Sequence, residues 1–397
     1  MNLDWKYVPL SEAVEICDNQ RKPINSKERA SRIEGKSESE LYPYYGATGQ
    51  VGYIDDYITD GEYVLLGEDG APFLNTFANK AYIISEKAWV NNHAHVLKAK
   101  GNNKFLCYYL NYFNYKGYVS GTTRLKLTQA QMKSIPVPVL PVSEQERIVA
   151  RIEELFSELD NGVETLRKTK QQLAVYRQAV LKDAFDTAIK SCKTQSCIED
   201  FLTRDRKGMS TGPFGTMLKK QEHKSAGVPV LGIENIGEGK FVDGNKIFVT
   251  EEKALELKSF ELRAGDIIIS RSGTVGELCS VPAYMEGSLL STNLMRISLD
   301  LEKVLPNYFI YLFQSKGVVL DQVKELCKGS TRIFLNQTIL KQIRFPIPSI
   351  AEQAKIVKEI DSRLSVCDSI ERTVGTALHQ AEAMRQSILK KAFEGRL

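Results

Sequence analysis

Residues 143–190 read SEQERIVARIEELFSELDNGVETLRKTKQQLAVYRQAVLKDAFDTAIK. Within them Ile152, Leu159, Leu166, Leu173 and Val180 recur every seven residues. Apolar residues at strict sevens form one stripe along a helix, the mark of a long helix that pairs with another. Ser143 reads as the N-cap, with Glu146 three residues on completing a capping box and Pro141 ending what precedes. Such a helix is longer than one small domain needs to bury.

The stripe occurs twice. An offset of 208 carries it to Ile360, Cys367, Val374, Ala381 and Ile388. Residues outside the stripe follow the same offset: Gly121, Thr123 and Arg124 become Gly329, Thr331 and Arg332, and Pro138 becomes Pro346. Glu144-Gln145 becomes Glu352-Gln353, Arg177-Gln178 becomes Arg385-Gln386, and Ala184-Phe185 becomes Ala392-Phe393. Apolar periodicity alone would not align polar pairs, so this is an internal repeat. Two copies are too few for a solenoid. The layout is globular unit, long helix, globular unit, long helix, with divisions at 1–142, 143–190, 191–350 and 351–397.

Leu159, Leu166 and Leu173 are large, whereas Cys367, Val374 and Ala381 are small. Large against small fills space, and two small seams would leave voids. The two helices are therefore expected to pair antiparallel, as a coiled coil within the chain and with pseudo-two-fold symmetry. The fold class is α+β.

The 397 residues are 43% hydrophobic and 26% charged, as in ordinary soluble domains. No apolar run approaches a membrane span, and residues 1–10 lack the apolar core of a signal peptide. Seven cysteines lie scattered without a Cys-x-x-Cys, which fits a reduced, cytoplasmic setting. A net charge of +4 permits nucleic-acid binding without demanding it.

Taken in order, residues 3–8 read as a strand, 10–16 as a strand or helical turn, and 18–40 as a polar loop. Short β-type runs follow at 42–45, 49–54, 61–66, 81–85 and 94–99. Residues 104–115 and 127–133 read as helices, and the proline-rich 135–141 as an edge strand. In the second unit 228–233 answers 42–45, 265–269 answers 61–65 at an offset of 204, and 306–314 answers the aromatic helix.

Motifs for chemistry are sparse. Gly232 to Gly237 has P-loop glycine spacing, but Glu238 stands where the lysine must be. There is no Asn-Pro-Pro-aromatic run of the kind amino-methylating DNA methyltransferases use, and no Gly-x-Gly-x-x-Gly after a strand. His93 and His95 alternate after Asn92 on one strand face, as a metal pair without a third ligand or as a structural or nucleic-acid-contacting pair. Glu68 and Asp69 follow a strand, in a turn whose glycines accept positive φ. The second copy has Arg271 and Ser272 there, an exchange that a shared catalytic role would not survive. Loops that swap hydrogen-bonding type at one place suit base readout, arginine for guanine and carboxylate for cytosine. Gly-Thr-Thr-Arg at 121–124, followed by Lys126, and Gly-Ser-Thr-Arg at 329–332 are kept in both copies. Arg124 and Arg332 read either as phosphate clamps or as arginines satisfied within their own domains.

In this order, the two Gly-(Ser/Thr)-Thr-Arg ends, the Pro-x-Pro and Phe-Pro exits, the Glu-Gln helix starts and the Leu-Lys-x-Ala-Phe helix ends resemble the specificity (S) subunit of type I restriction–modification systems. Pro213-Phe214-Gly215 before Val228-Pro229-Val230-Leu231 adds to the likeness. The resemblance spans the whole chain, and the one departure is a second unit without a counterpart of Trp5. It implies two target recognition domains, each reading half of a split, asymmetric site in double-stranded DNA, with the long helices as spacer. It implies no catalysis and no cofactor in this chain. Two modification subunits bring S-adenosylmethionine, and restriction subunits bring ATP- and Mg-dependent translocation and cleavage. The rival readings are a stand-alone DNA-acting enzyme and a coiled-coil scaffold without a DNA role.

Overall fold

A computed structural model describes residues 5–192, 195–214, 216–271, 276–326 and 335–397. The chain divides into two compact units, Met1–Lys168 with Val374–Leu397, and Thr169–Thr373.

The first unit holds a four-stranded antiparallel sheet in the order Val14–Ile16, Ala94–Ala99, Tyr63–Gly67, Ala81–Ile84. Its second sheet has the order Gly49–Ile54, Tyr42–Gly46, Trp89–Val90, the last pair parallel. The strand Tyr63–Gly67 is apolar throughout its middle because both of its faces are covered. Val64 and Leu66 face the cluster built on the aromatic helix Asn103–Tyr112, and Leu65 faces the opposite cluster with Val90 and Val96.

The second unit repeats this plan. Met209–Thr211, Leu294–Ile297, Ile267–Ser270 and Leu278–Ser280 form the four-stranded sheet, and Ile247–Val249, Val228–Leu231 and Leu289–Leu290 the three-stranded one. Order and strand sense match the first unit in both sheets. The edge ladder of Lys6–Pro9 with Pro136–Val139 has a reduced counterpart, a single bridge between Ser196 and Phe345. Phe345 lies 208 residues beyond Val137, which pairs with Val8.

The long helices are Val142–Ser191 and Ile350–Phe393. Each gives one end to each unit. Ile148, Val149 and Ile152 pack in the first unit together with Leu389, Ala392 and Phe393 from the far end of the chain. Leu181, Ala184 and Phe185 pack in the second unit with Ile360. The repeated Leu-Lys-x-Ala-Phe endings are therefore core plugs. Within each unit the helix segments run antiparallel. Asp160 meets Arg385 in the first, while Arg177 meets Asp368 and Glu371, and Asp183 meets Arg363, in the second. Asp160–Arg385 and Asp368–Arg177 are the same pair under the 208-residue repeat. Along the seam Ile152, Leu173, Val180, Ile360, Cys367, Val374 and Ala381 are buried, and Leu159, Leu166 and Ile388 are half-buried.

The repeated glutamine has its own task. Gln145 Oε1 accepts from the Asn102 N–H at 2.9 Å, and its amide donates to Leu140 O at 2.9 Å. Gln353 is fully buried, accepts from the Leu305 N–H at 2.9 Å, and donates to Lys303 O at 2.7 Å and Pro348 O at 2.9 Å. Each glutamine ties the start of a long helix to the start of its unit's aromatic helix. Gln353→Ala leaves these buried backbone groups unpaired and should cost about 2–3 kcal/mol. Urea unfolding followed by a probe in residues 169–373 checks this.

Four expectations change. The first long helix begins at Val142, with Pro141 O accepting from the Glu144 and Gln145 N–H groups, so Ser143 is inside the first turn and forms no capping box with Glu146. Proline at the cap has neither the N–H nor the hydroxyl a box requires. The second copy does form one, between Ser349 and Glu352. The stretch 18–40 is not a loop, since it contains the helix Ser26–Ile33, whose Glu28 N–H is capped by Asn25 at 2.9 Å. This helix buries no residue, so it left no apolar period to read. It is held by charge over rings instead, Arg29 above Tyr44 and Arg32 above Trp89, each at 4.8 Å. The strand offset is 203, not 204. Val64 sits opposite Leu97, as Ile267 sits opposite Ile297 at the same place in the sheet. Finally, His93 precedes the strand Ala94–Ala99 and does not share a strand face with His95.

Candidate nucleic-acid interface

In the first unit three separate loops meet at the end of the central strand. The Glu68 N–H donates to His93 O at 2.8 Å, the Leu127 N–H to Glu68 O at 2.7 Å, and the Gly70 N–H to Leu125 O at 3.0 Å. Gly70 has φ +79°, and a side chain there would press on the Arg124 guanidinium, so the turn takes glycine. These bonds gather Glu68, Asp69, Asn92, His93, His95, Arg124 and Lys126 into one cluster. Asp18 and Arg21 join it from the segment after the first sheet strand, and sequence reasoning passed over both as loop polarity.

The interior of the cluster is fixed by charge. His95 is fully buried, with Nδ1 2.8 Å from Asp18 Oδ2 and Nε2 3.1 Å from Leu127 O. Asp18 also accepts from the Val96 N–H at 2.9 Å and the Gln129 amide at 3.0 Å. Burial pushes its carboxyl up, but the hydrogen bond and charge of His95, with the Val96 and Gln129 donors, hold it at about 2. Glu68, 13% exposed, is bound by Arg21 and has Lys126 at 3.3 Å. Burial opposes its ionisation, and Arg21 and His95 outweigh burial and lower its pKa. Glu68 thus has Arg21 on one oxygen and the half-exposed Lys126 near the other. Among the described residues no group of His, Cys, Asp and Glu could hold a metal ion.

The outer layer is cationic. Arg124 is 59% exposed with Nε 2.7 Å from Asp69 Oδ1, Lys126 is half exposed, and His93 is 40% exposed with Nδ1 3.6 Å from Asp69. Asn92 is exposed, and its carbonyl accepts from Arg21 Nη1 at 3.3 Å. Guanidinium, ammonium and imidazole donors held over fixed carboxylates suit phosphates and base acceptors.

The second unit keeps the frame and changes the side chains. The Arg271 N–H donates to Asn293 O at 3.0 Å and the Leu335 N–H to Arg271 O at 3.1 Å, the bonds Glu68 makes in the first unit. Strand register then sets Met295 in the place of His95 and Thr292 in that of Asn92. Arg271 Nη1 donates to Thr292 O at 3.4 Å. A guanidinium therefore sits at the same carbonyl in both units, supplied by Arg21 in one and Arg271 in the other. Burial lowers the Arg271 pKa. Ser272 and Arg332 lie outside the described residues.

Two stretches of the chain, 2–173 and 213–379, match the family profile described as the type I restriction modification DNA specificity domain. The chain belongs to this family and is a DNA-specificity subunit with two recognition domains. A Haemophilus influenzae (strain ATCC 51907 / DSM 11121 / KW20 / Rd) protein, provisionally named a type I restriction enzyme specificity subunit, is 29% identical over 96% of this chain and 92% of its own. The EcoBI specificity subunit of Escherichia coli is 25% identical over 92% of this chain and 79% of its own. A solved chain described under complex assembly and conformational transition of the type I R-M system aligns with 99% of this chain and 98% of its own. Its TM-score is 0.65 at 16% identity, a likeness of fold. No helix among the described residues is long and apolar enough to cross a membrane.

Proposed function

We propose that the chain reads a bipartite, asymmetric site in double-stranded DNA, residues 1–142 reading one half and 191–350 the other, with 143–190 and 351–397 as the spacer. The observation that carries this is one backbone frame furnished twice with different groups: Glu68 against Arg271, His95 against Met295. Two modules with one architecture and unlike donor sets suit two unlike half-sites. In the first, Arg124, Lys126 and His93 supply phosphate and base contacts over the carboxylate layer. In the second, Arg271 offers a fork for guanine. The chain catalyses nothing itself. It docks two modification subunits that use S-adenosylmethionine, and restriction subunits that use ATP and Mg, in the cytoplasm.

Co-expression with the modification subunit and mapping of methylated adenines tests the reading. The expected result is one split motif with unlike halves and a fixed gap. Exchange of residues 1–142 changes one half only, and Arg271→Ala relaxes the other half. A palindromic motif, or an Arg271→Ala map identical to the original, overturns it.

A further inference from the structure

We propose that Phe214 is an apolar wedge that enters a base step of duplex DNA in the half-site read by the second unit. The inference rests on the DNA reading above. Phe214 is 71% exposed, directly after two buried residues. Gly212 and Pro213 before it are buried, and Leu218 after it belongs to the core cluster with Val230 and Val249. The Gly212 N–H donates to Leu294 O at 3.1 Å, and the Met217 N–H donates to Phe214 O at 2.8 Å. A Cβ on Gly212 would fall 1.8 Å from Ser291 O, so only glycine permits this approach to the 291–292 turn. The residues before the ring are anchored in the unit, and the ring itself is exposed.

The surroundings point to the ligand. The 291–292 turn that Gly212 touches is the one whose Thr292 carbonyl receives the Arg271 guanidinium. Phe214 thus stands two residues from a contact with the turn whose carbonyl accepts from the candidate base reader. Lys219 and Lys220, both exposed, follow within a few residues and supply charge for the phosphates on either side. An isolated aromatic ring in water gains nothing, whereas a ring inserted between base pairs is stacked and dry, and such wedges recur in proteins that deform DNA. The first unit solves the same corner differently. There the strand carbonyl equivalent to Leu294 O, that of Ala94, receives the Arg21 guanidinium at 3.2 Å, and the segment 17–24 that supplies Arg21 contains no aromatic residue. The wedge therefore acts on one half-site alone.

The test uses the full chain with its modification subunit and duplexes carrying 2-aminopurine at successive positions of the site, the methylated adenine excepted. The original complex should raise fluorescence several-fold at one step of the second half-site and nowhere in the first. Phe214→Ala should abolish the rise and weaken binding by about tenfold, Phe214→Leu should keep part of both, and thermal unfolding should not move. Leu255→Ala, at an equally exposed apolar residue of the same unit, serves as control and should change nothing. DNA bound without any rise, or a rise that survives Phe214→Ala, overturns the wedge alone. Loss of the modification subunit on Phe214→Ala also overturns it, by assigning the ring to a protein contact. Failure of the original complex to bind any duplex overturns the DNA reading, and the wedge with it.

Discussion

Phe393→Ala should remove about 3–5 kcal/mol from the first unit, although the substitution lies four residues before Leu397. The Phe393 ring is fully buried. It meets Phe105 at 5.4 Å and Tyr109 at 5.3 Å edge-on, and stacks on Tyr112 at 5.5 Å. Phe105 and Tyr109 are themselves core residues on the helix Asn103–Tyr112, whose other face covers the central strand. Truncation opens a phenyl-sized hole among aromatic rings that cannot collapse into it, and the edge-to-face contacts go with it. Urea unfolding with separate probes in the two units should show the first unit falling to lower denaturant while the second is unmoved. Equal shifts in both units, or none, would contradict the assignment of this side chain to the first core.

Asp18→Ala is the second large effect, expected at about 3 kcal/mol. It removes the carboxylate facing the buried His95 ring and leaves the Val96 N–H and the Gln129 amide without their acceptor. Asp18→Asn should cost less, because its amide oxygen still accepts from Val96. Acid reports on the same group. Its pKa falls from an ordinary 3.8 to about 2 in the folded protein. The stabilisation is therefore complete above about pH 4 and is lost as pH drops through about 2, amounting to about 2 kcal/mol. The difference in urea midpoint between the original protein and Asp18→Asn should narrow across that window. A difference that is flat from pH 5 to pH 2 would mean that Asp18 is not held by these donors.

Much of this architecture is legible in the amino-acid sequence. The 208-residue repeat gave two units and two long helices because each feature rests on several residues at once: a stripe, a Glu-Gln start, an Ala-Phe end. Glycine-bounded runs at 42–45, 49–54 and 94–99 became strands close to their expected limits, since β-branched and aromatic residues between turns have few other options. The misses share a cause. The helix Ser26–Ile33 is held by cation–ring contacts, which have no period along the chain. The strand Trp89–Val90 is two residues long and exists only through its parallel neighbour Tyr42–Gly46. Pro141 displaces the cap that serine forms in the second copy.

The candidate site was legible in its parts and not in its arrangement. Glu68, Asp69, His93, Arg124 and Lys126 were each suspect for their own chemistry, and the fold brings them together. Their division of labour depends on burial, which no spacing reveals. Glu68 became a holder of cations because Arg21 reaches it from a segment 47 residues earlier. Arg21 itself has no repeat partner in sequence. Its counterpart, Arg271, comes from a different strand end and meets the equivalent carbonyl.

The exchange of helix ends between units bears on how the chain is made. The second unit is one continuous stretch, Thr169–Thr373, which emerges from the ribosome as one block. The first unit is begun before the second and completed after it, for its core includes Leu389, Ala392 and Phe393. At cellular synthesis speeds, the roughly 220 residues between Lys168 and that plug take about 10–50 s to appear. Throughout that interval Phe105, Tyr109 and Ile152 stand with one wall of their core missing. The half of the molecule that is begun before the other is thus the half whose core waits on residues made after the other is complete, and a nascent chain stopped short of them leaves the ribosome with that core still open.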